Sequence, residues 1–269
     1  DQWLQWIDPI EDERDFTDVK LTAFLERQQD LLQVIQDATG LPGCYFERDY
    51  DRPSIDMQLP ELGGLRDMQR LLALQAHCQA AQGHVAEAVT TINAMYRLAD
   101  HTGREPVLIT ALVTIAMEHM ANNALQYLCT QTNVSLDDLQ RVAWPHTPLR
   151  ELLSDALRME EAFGLSAFCS LAEGRHDLSA VIESGDVAQV DDAGLADHAV
   201  LALFRIFLLA PDLTDYRKTM QQQRTVVAQS YAQAQDAWDR LDVEFATQPR
   251  GILTSLLLSG LRNCSEAVT

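Results

Sequence analysis

The chain has 269 residues, of which 40 are acidic and 20 are basic, so its formal net charge is −20. That charge opposes the binding of nucleic acid phosphates and anionic lipid head groups, and no cluster of Lys or Arg offsets it. Apolar residues make up 47% of the chain, which excludes a disordered polypeptide and provides for a hydrophobic core. Because good helix formers dominate and strand-forming runs are rare, we expect an all-α protein of about eight to ten helices.

Apolar residues at helical spacing predict four helices in the first half of the chain, over residues 17–38, 60–82, 85–99 and 107–129. Gly40 ends the first helix, and Pro60 begins the second at a position that proline favours. Gly83 separates the second helix from the third, and this short connection predicts an antiparallel hairpin. Ser135, which is followed by two aspartates, is predicted to be the N-cap of a short helix.

Four further helices are predicted in the second half, over residues 148–173, 192–209, 214–245 and 252–261. Pro211 separates the second of these from the third, and Thr214 is predicted to be the N-cap of the third. The last helix is short and almost wholly apolar. We expect it to pack on the helix before it, through an apolar stripe that includes Val226 and Val227.

An acidic stretch, residues 175–191, interrupts this helical pattern. We interpret residues 1–269 as a single helical domain, which this stretch subdivides into a hairpin region (1–174) and C-terminal helices (192–269). A calcium-binding loop is the alternative, but the acidic spacing does not fit an EF-hand, so we expect a solvated linker.

The hairpin over residues 71–98 resembles a tetratricopeptide unit, with Gly83 at the turn and the small residue Ala88 where the two helices cross. The match is partial, because Gln75 and Gln79 occupy positions that take Leu and a large aromatic residue in that family. An ordinary αα-hairpin with a glycine turn is an equal alternative. Both interpretations predict packed antiparallel hairpins, arranged as an α-solenoid or an irregular bundle.

A wider resemblance extends over most of the chain through residues 41–46, 70–76, 104–109, 112–116 and 161–164. These segments resemble landmarks of an uncharacterised family of bacterial, all-helical, tetratricopeptide-like proteins. Members commonly begin with a hydrophobic anchor or export segment. The resemblance therefore implies an exported or cell-envelope protein that reaches a membrane only through a segment absent from this chain. The family has no established activity, so the resemblance supplies no catalytic residue.

Recognisable catalytic and metal-binding motifs are missing from the sequence. Gly164-Leu165-Ser166 lacks the second glycine of a nucleophile elbow, and the seven histidines are scattered without the spacing of a metal site. The five cysteines include no Cys-x-x-Cys pair, which leaves the compartment open. We therefore predict neither a metal nor a cofactor.

The residues that could form a pocket or a charge network lie in or next to predicted helices: Arg104, Glu105, Glu118, His119, Glu160 and Glu161. In one interpretation a buried glutamate faces a second carboxylate, and the two act as an acid/base pair, as in helical-barrel glycosidases. In the other, which we favour, the charges stabilise the core, for example with Glu161 paired to Arg104 or Arg158. Glu105 also fits a first-turn acid that the helix dipole favours.

These patterns favour a non-catalytic scaffold or protein-interaction module, which binds a protein or peptide on a face of packed hairpins. We expect no nucleic acid partner. A helical-barrel-like hydrolase is the first alternative. A structural subunit of an envelope assembly, held by apolar ends at Trp3, Trp6 and residues 252–261, is the second.

Overall fold

The computed structural model describes residues 15–50, 57–173, 208–229 and 250–258, and with them Ala237, Arg240, Leu241, Val243, Glu244 and Thr247. Nine α-helices lie within these residues, and no β-strand does. In chain order they are α1 (Val19–Arg27), α2 (Gln29–Thr39), α3 (Glu61–Ala81), α4 (Val85–Thr102), α5 (Leu108–Gln131), α6 (Leu136–Gln140), α7 (Leu149–Ala172), α8 (Leu209–Val227) and α9 (Ile252–Leu258). The prediction of an all-α fold is confirmed.

The chain forms two compact units. Unit 1 comprises Asp1–Phe46, Leu59–Glu105 and Ile109–Leu149, and unit 2 comprises Glu47–Gln58, Pro106–Leu108 and Arg150–Thr269. The acidic stretch 175–191 and the N-terminal tryptophans lie outside the described residues. The predicted subdivision at that stretch, and the predicted role of those tryptophans, therefore stay predictions.

Helices α3 and α4 form the predicted hairpin of unit 1. Gly83 lies at the turn with φ = 78°, a left-handed conformation that glycine adopts without the steric cost of a Cβ atom. Ala88 is fully buried, as expected for a small residue at a helix crossing. Large buried side chains of α3, α4 and α5 form the core: Leu72, Ile92, Met95, Tyr96, Met117 and Leu128.

The two glutamines that depart from the tetratricopeptide pattern make hydrogen bonds between helices. Thr91 Oγ1 donates to Gln79 Oε1 (2.8 Å), and Gln36 Nε2 donates to Gln75 Oε1 (3.1 Å). Polar contacts therefore replace the large apolar side chains that the tetratricopeptide pattern has at these positions.

The first predicted helix is two helices in the structure. Asp18 caps α1 by accepting the backbone N–H of Lys20 (2.8 Å), but the backbone leaves helical geometry at Gln28 (φ −96°, ψ 5°). Leu21 belongs to a small buried cluster, whereas Leu32 joins the main core. Phe24 and Leu25 of α1 pack against both clusters, so the two halves share the main core, and no glycine or proline marks the break.

Helix α6 begins at the predicted N-cap. Ser135 Oγ accepts the Asp138 N–H (3.2 Å), and the Asp138 carboxylate accepts the Ser135 N–H (3.2 Å). This capping box satisfies N–H groups that have no partner within the helix. The chain then continues as an irregular segment, residues 141–146, which we call the crossing segment.

In unit 2, α7 and α8 meet at a glycine. Tyr216 of α8 is almost fully buried, and its ring centroid lies 5.6 Å from that of Phe168. The Tyr216 hydroxyl donates to the Glu160 carbonyl (2.8 Å). A Cβ atom on Gly164 would overlap the Tyr216 ring, so the absence of a side chain at Gly164 permits this close approach.

Helix α8 contradicts the predicted boundary at Pro211 and Thr214. It runs without interruption from Leu209 to Val227. Pro211 lies in its first turn, where a missing N–H costs no helical hydrogen bond. Thr214 is not an N-cap, because its hydroxyl donates to the Ala210 carbonyl (2.9 Å), as interior helical threonines do. The helix also ends well short of the predicted position, with a turn at Ala228.

Helix α9 packs on α8, as the sequence predicted. Val226 and Val227 of α8 are buried, and so are Leu253 and Leu258 of α9. The short helix therefore turns apolar side chains into the interior of unit 2.

Candidate functional site

Two polar side chains of α4 hold the crossing segment of unit 1. Asn93 donates through Nδ2 to the Arg141 carbonyl (2.9 Å) and accepts the Ala143 N–H through Oδ1 (2.7 Å). Asp100 accepts the His146 N–H with its carboxylate (3.3 Å). Asn93 and Asp100 lie two helical turns apart, on the same face of α4. The crossing segment is therefore fixed along α4 at both ends.

Trp144 lies in the middle of the crossing segment and is 55% exposed. Its ring centroid is 6.0 Å from that of Tyr96, at an interplanar angle of 42°. Tyr96 is fully buried, and its hydroxyl donates to Asn122 Oδ1 on α5 (2.7 Å). An exposed indole thus rests on a buried ring that is itself tied to a second helix.

Glu118 lies on α5, one turn before Asn122, and is half-buried. Burial raises the pKa of its carboxyl group to about 7, and the negative charge of Asp100 adds to the rise. Burial, and after it the charge of Glu118, raises the pKa of Tyr96 to about 12. Tyr96 lies next to the Trp144 ring and bonds to Asn122, and Glu118 interacts electrostatically with Tyr96 and Asp100. We therefore treat Tyr96, Asp100, Glu118, Asn122 and Trp144 as one site, the Trp144 site.

The other predicted residues of unit 1 have different surroundings. His119, on α5, is exposed. The Arg104 side chain is exposed and donates to the Pro42 carbonyl (2.7 Å). Glu105 is buried, and its backbone carbonyl accepts the Thr110 hydroxyl (2.6 Å). Of the residues that we proposed from the sequence for a pocket or charge network, only Glu118 belongs to the Trp144 site as we define it.

In unit 2, Glu160 makes a hydrogen bond to a backbone N–H group, and Glu161 forms an ion pair with an arginine of another helix. Glu160 Oε1 accepts the backbone N–H of Leu108 (3.3 Å). Burial raises the pKa of the Glu160 carboxyl group, and this hydrogen bond opposes the rise. Glu161 Oε2 pairs with Arg224 Nη1 on α8 (2.8 Å). Both carboxylates therefore contact other segments of unit 2, and their predicted role in a charge network stays a prediction.

The partner of Glu161 differs from both residues that the sequence suggested. Arg158 pairs with Asp155, one turn earlier on α7 (2.9 Å), and the Arg104 guanidinium is engaged as described above. Arg224 is 63 residues from Glu161 along the chain. Helical spacing predicts ion pairs within one helix but gives no information about pairs between helices.

Sequence reasoning missed Tyr96, Asp100, Asn122 and Trp144. A signal was present, because Asn93, Tyr96 and Asp100 repeat at helical spacing and place polar groups along one face of α4. The position of Trp144 in a short irregular segment was a second signal. The sequence does not show, however, that this segment packs back on α4.

Within the described ranges, no group of His, Cys, Asp and Glu residues has the arrangement of a metal site. None of the described helices combines the length and the hydrophobicity needed to cross a bilayer. Comparison of the chain with protein-family models, curated protein sequences and solved structures finds no match.

Proposed function

We propose that this protein is a non-catalytic interaction module, which binds a polypeptide segment of a partner at the Trp144 site. The observation that carries the proposal is the half-exposed indole of Trp144, supported by the buried ring of Tyr96. Tryptophan is prominent among the residues that dominate binding energy at protein interfaces. An exposed tryptophan on a rigid support offers a large apolar surface to such a partner.

The surroundings of Trp144 support a polypeptide as the ligand. The Asp100 carboxylate accepts the N–H of His146, two residues after Trp144, and the Tyr96 ring next to the indole donates its hydroxyl to Asn122. Polar groups that accompany an aromatic surface are typical of the rim of an interface. The hydrogen bonds of the crossing segment restrain Trp144 before binding, so little conformational freedom is lost when a partner docks.

The test is to select peptides from a random display library on the purified protein and to measure their affinity by calorimetry. We expect Trp144→Ala to weaken binding by at least about tenfold, the loss typical of a central interface residue. Leu136→Ala is the matched control, because Leu136 is an exposed apolar residue of unit 1 outside the site. Failure to select any peptide, or equal losses in the two variants, would refute the proposal.

A hydrolase is the second candidate, and one observation favours it. The Glu118 carboxyl group, with a pKa of about 7, lies near a second carboxylate, Asp100. Such a pair could divide into a general acid and an ionised partner. If the protein cleaved an aryl glycoside and Glu118→Gln lowered kcat by about 100-fold or more, this function would replace the interaction module.

We also propose a relation to a protein family. The αα-hairpin with its glycine turn at Gly83 supports a kinship with the bacterial tetratricopeptide-like proteins that the sequence resembles. An exported or envelope-associated location would follow from that kinship. Fractionation of cells that produce the full-length gene product, followed by immunodetection, tests the location.

A further inference from the structure

We propose that the segment bound at the Trp144 site is basic and presents an arginine or lysine side chain to the indole and to the carboxylates of Asp100 and Glu118. This inference rests on the proposed function and specifies the chemistry of its ligand. It commits to a cationic peptide of a partner protein.

The geometry of the site favours a cationic ligand. Asp100 and Glu118 lie on neighbouring helices, α4 and α5, and Tyr96 links both helices to Trp144. The Asp100 carboxylate also accepts the N–H of His146, two residues after Trp144. The two acidic groups are thus connected to the indole through Tyr96 and the crossing segment, and a guanidinium that stacks on an indole can also bond to a carboxylate.

The negative charge of the site and of the chain also favours a cationic ligand. In the part of the chain that the structure describes, no salt bridge joins Asp100 or Glu118 to a basic side chain. The nearby Arg141 of the crossing segment pairs with Asp138 (3.6 Å). The chain as a whole carries a net charge of −20, which attracts cationic ligands over long distances.

The charges of Asp100 and Glu118 affect each other's ionisation, and a bound cation changes this effect. Burial and the Asp100 charge both oppose ionisation of Glu118. A bound cation offsets the Asp100 charge and favours the ionised form of Glu118. Binding should therefore release protons from Glu118 and become stronger as the pH rises through about 7.

An experiment on pH dependence must distinguish the effect of Glu118 from the effects of other titratable side chains. They are Tyr96 and Asp100 on α4, His119 on α5, and His146 on the crossing segment. Histidine is a side chain that can change charge near neutral pH and thereby affect the binding of a cation. His119→Gln and His146→Gln variants distinguish these origins from Glu118.

The probe is N-acetylarginine amide, with N-acetylcitrulline amide as its neutral analogue, in titrations followed by the NMR signal of the Trp144 indole N–H. We expect arginine to bind about fivefold more tightly at pH 8 than at pH 6, the effect of one partly exposed charge pair. The citrulline probe should bind weakly at both pH values. Glu118→Gln should remove the pH dependence, whereas the two histidine variants and the surface control Asp137→Asn should keep it.

The outcome distinguishes this inference from the proposed function. If library peptides bind in a Trp144-dependent way but the arginine probe shows no advantage over citrulline, the interaction module stands and the basic ligand is wrong. The inference is also overturned if the pH dependence persists in Glu118→Gln. If neither peptides nor the arginine probe perturbs Trp144, both proposals fail.

Discussion

Asp212, in the first turn of α8, caps α9 by accepting the backbone N–H of Leu253 (2.8 Å). The same carboxylate accepts the N–H of Thr254 (3.0 Å), and Asp212 is only 3% exposed. A buried carboxylate needs such donors, and the start of a helix supplies them together with a favourable dipole. Gly251 precedes α9, and a Cβ atom there would overlap the Asp212 carboxylate.

Replacement of Asp212 tests this cap. Asp212→Ala removes the acceptor and leaves the buried N–H groups of α9 unsatisfied, so we expect a loss of about 1–3 kcal/mol in the free energy of unfolding. Asp212→Asn keeps an acceptor oxygen and should cost less. Urea denaturation measures both. An alanine variant as stable as the wild type would show that the cap does not hold α9.

Two helical glycines should respond in opposite directions to the same substitution. A Cβ atom on Gly63 of α3 meets no atom within 4 Å, whereas one on Gly164 of α7 overlaps the Tyr216 ring. Gly63→Ala should raise the free energy of unfolding by about 0.5–1 kcal/mol, because alanine restricts the unfolded chain. Gly164→Ala should lower it by about 1–3 kcal/mol through overpacking. Thermal denaturation of the two variants measures these changes. Shifts of the melting temperature in the same direction would contradict the α7–α8 packing.

Local signals in the sequence predicted much of the fold. Gly83 and Ser135 were identified correctly because a left-handed turn and a helix N-cap depend on residues close in the chain. Gln28 and Pro211 were misjudged for a different reason. Packing decides whether a helix breaks at a residue that favours helix, and a proline in the first turn is compatible with a continuing helix.

The candidate site was only partly predictable. Glu118 was identified because it is an acidic residue in an apolar helical pattern. Asp100 and Trp144 lie on α4 and on the crossing segment, and the contacts of that segment with α4 depend on how it returns to the hairpin. Contacts of this kind depend on the tertiary structure, which no local spacing rule contains.

The ion pair between Glu161 and Arg224 should contribute modestly to stability. The two side chains are 23% and 39% exposed, so solvent screens their attraction. A double-mutant cycle with Glu161→Gln and Arg224→Met should give a coupling energy of about 0.5–1 kcal/mol, which 1 M NaCl reduces. The more exposed pair Asp155–Arg158 is the control, and its cycle should give a smaller value. Equal coupling energies in the two cycles would show that the Glu161–Arg224 pair contributes no more to stability than an exposed pair within one helix.

Glu118 should make the stability of the protein depend on pH near neutrality. Its pKa is about 7 in the folded protein and 4.5 in the absence of the fold, so the folded state binds more protons between these values. The free energy of unfolding therefore falls as the pH rises through this window, and it is lowest, as far as Glu118 contributes, above pH 7.

Glu118→Gln removes the charge and nearly preserves the shape of the side chain. At pH 8 we expect the variant to be more stable than the wild type by about 1 kcal/mol, a modest value because solvent screens a half-buried group. At pH 5, where the wild-type carboxyl group is protonated in the folded state, the difference should be small. Urea denaturation at both pH values measures it, with Asp137→Asn as an exposed acidic control on α6. A difference that is the same at pH 5 and pH 8 would mean that Glu118 ionises as freely in the folded protein as in the unfolded chain. The Trp144 site would then lack the unfavourable charge on which recognition of a basic partner depends.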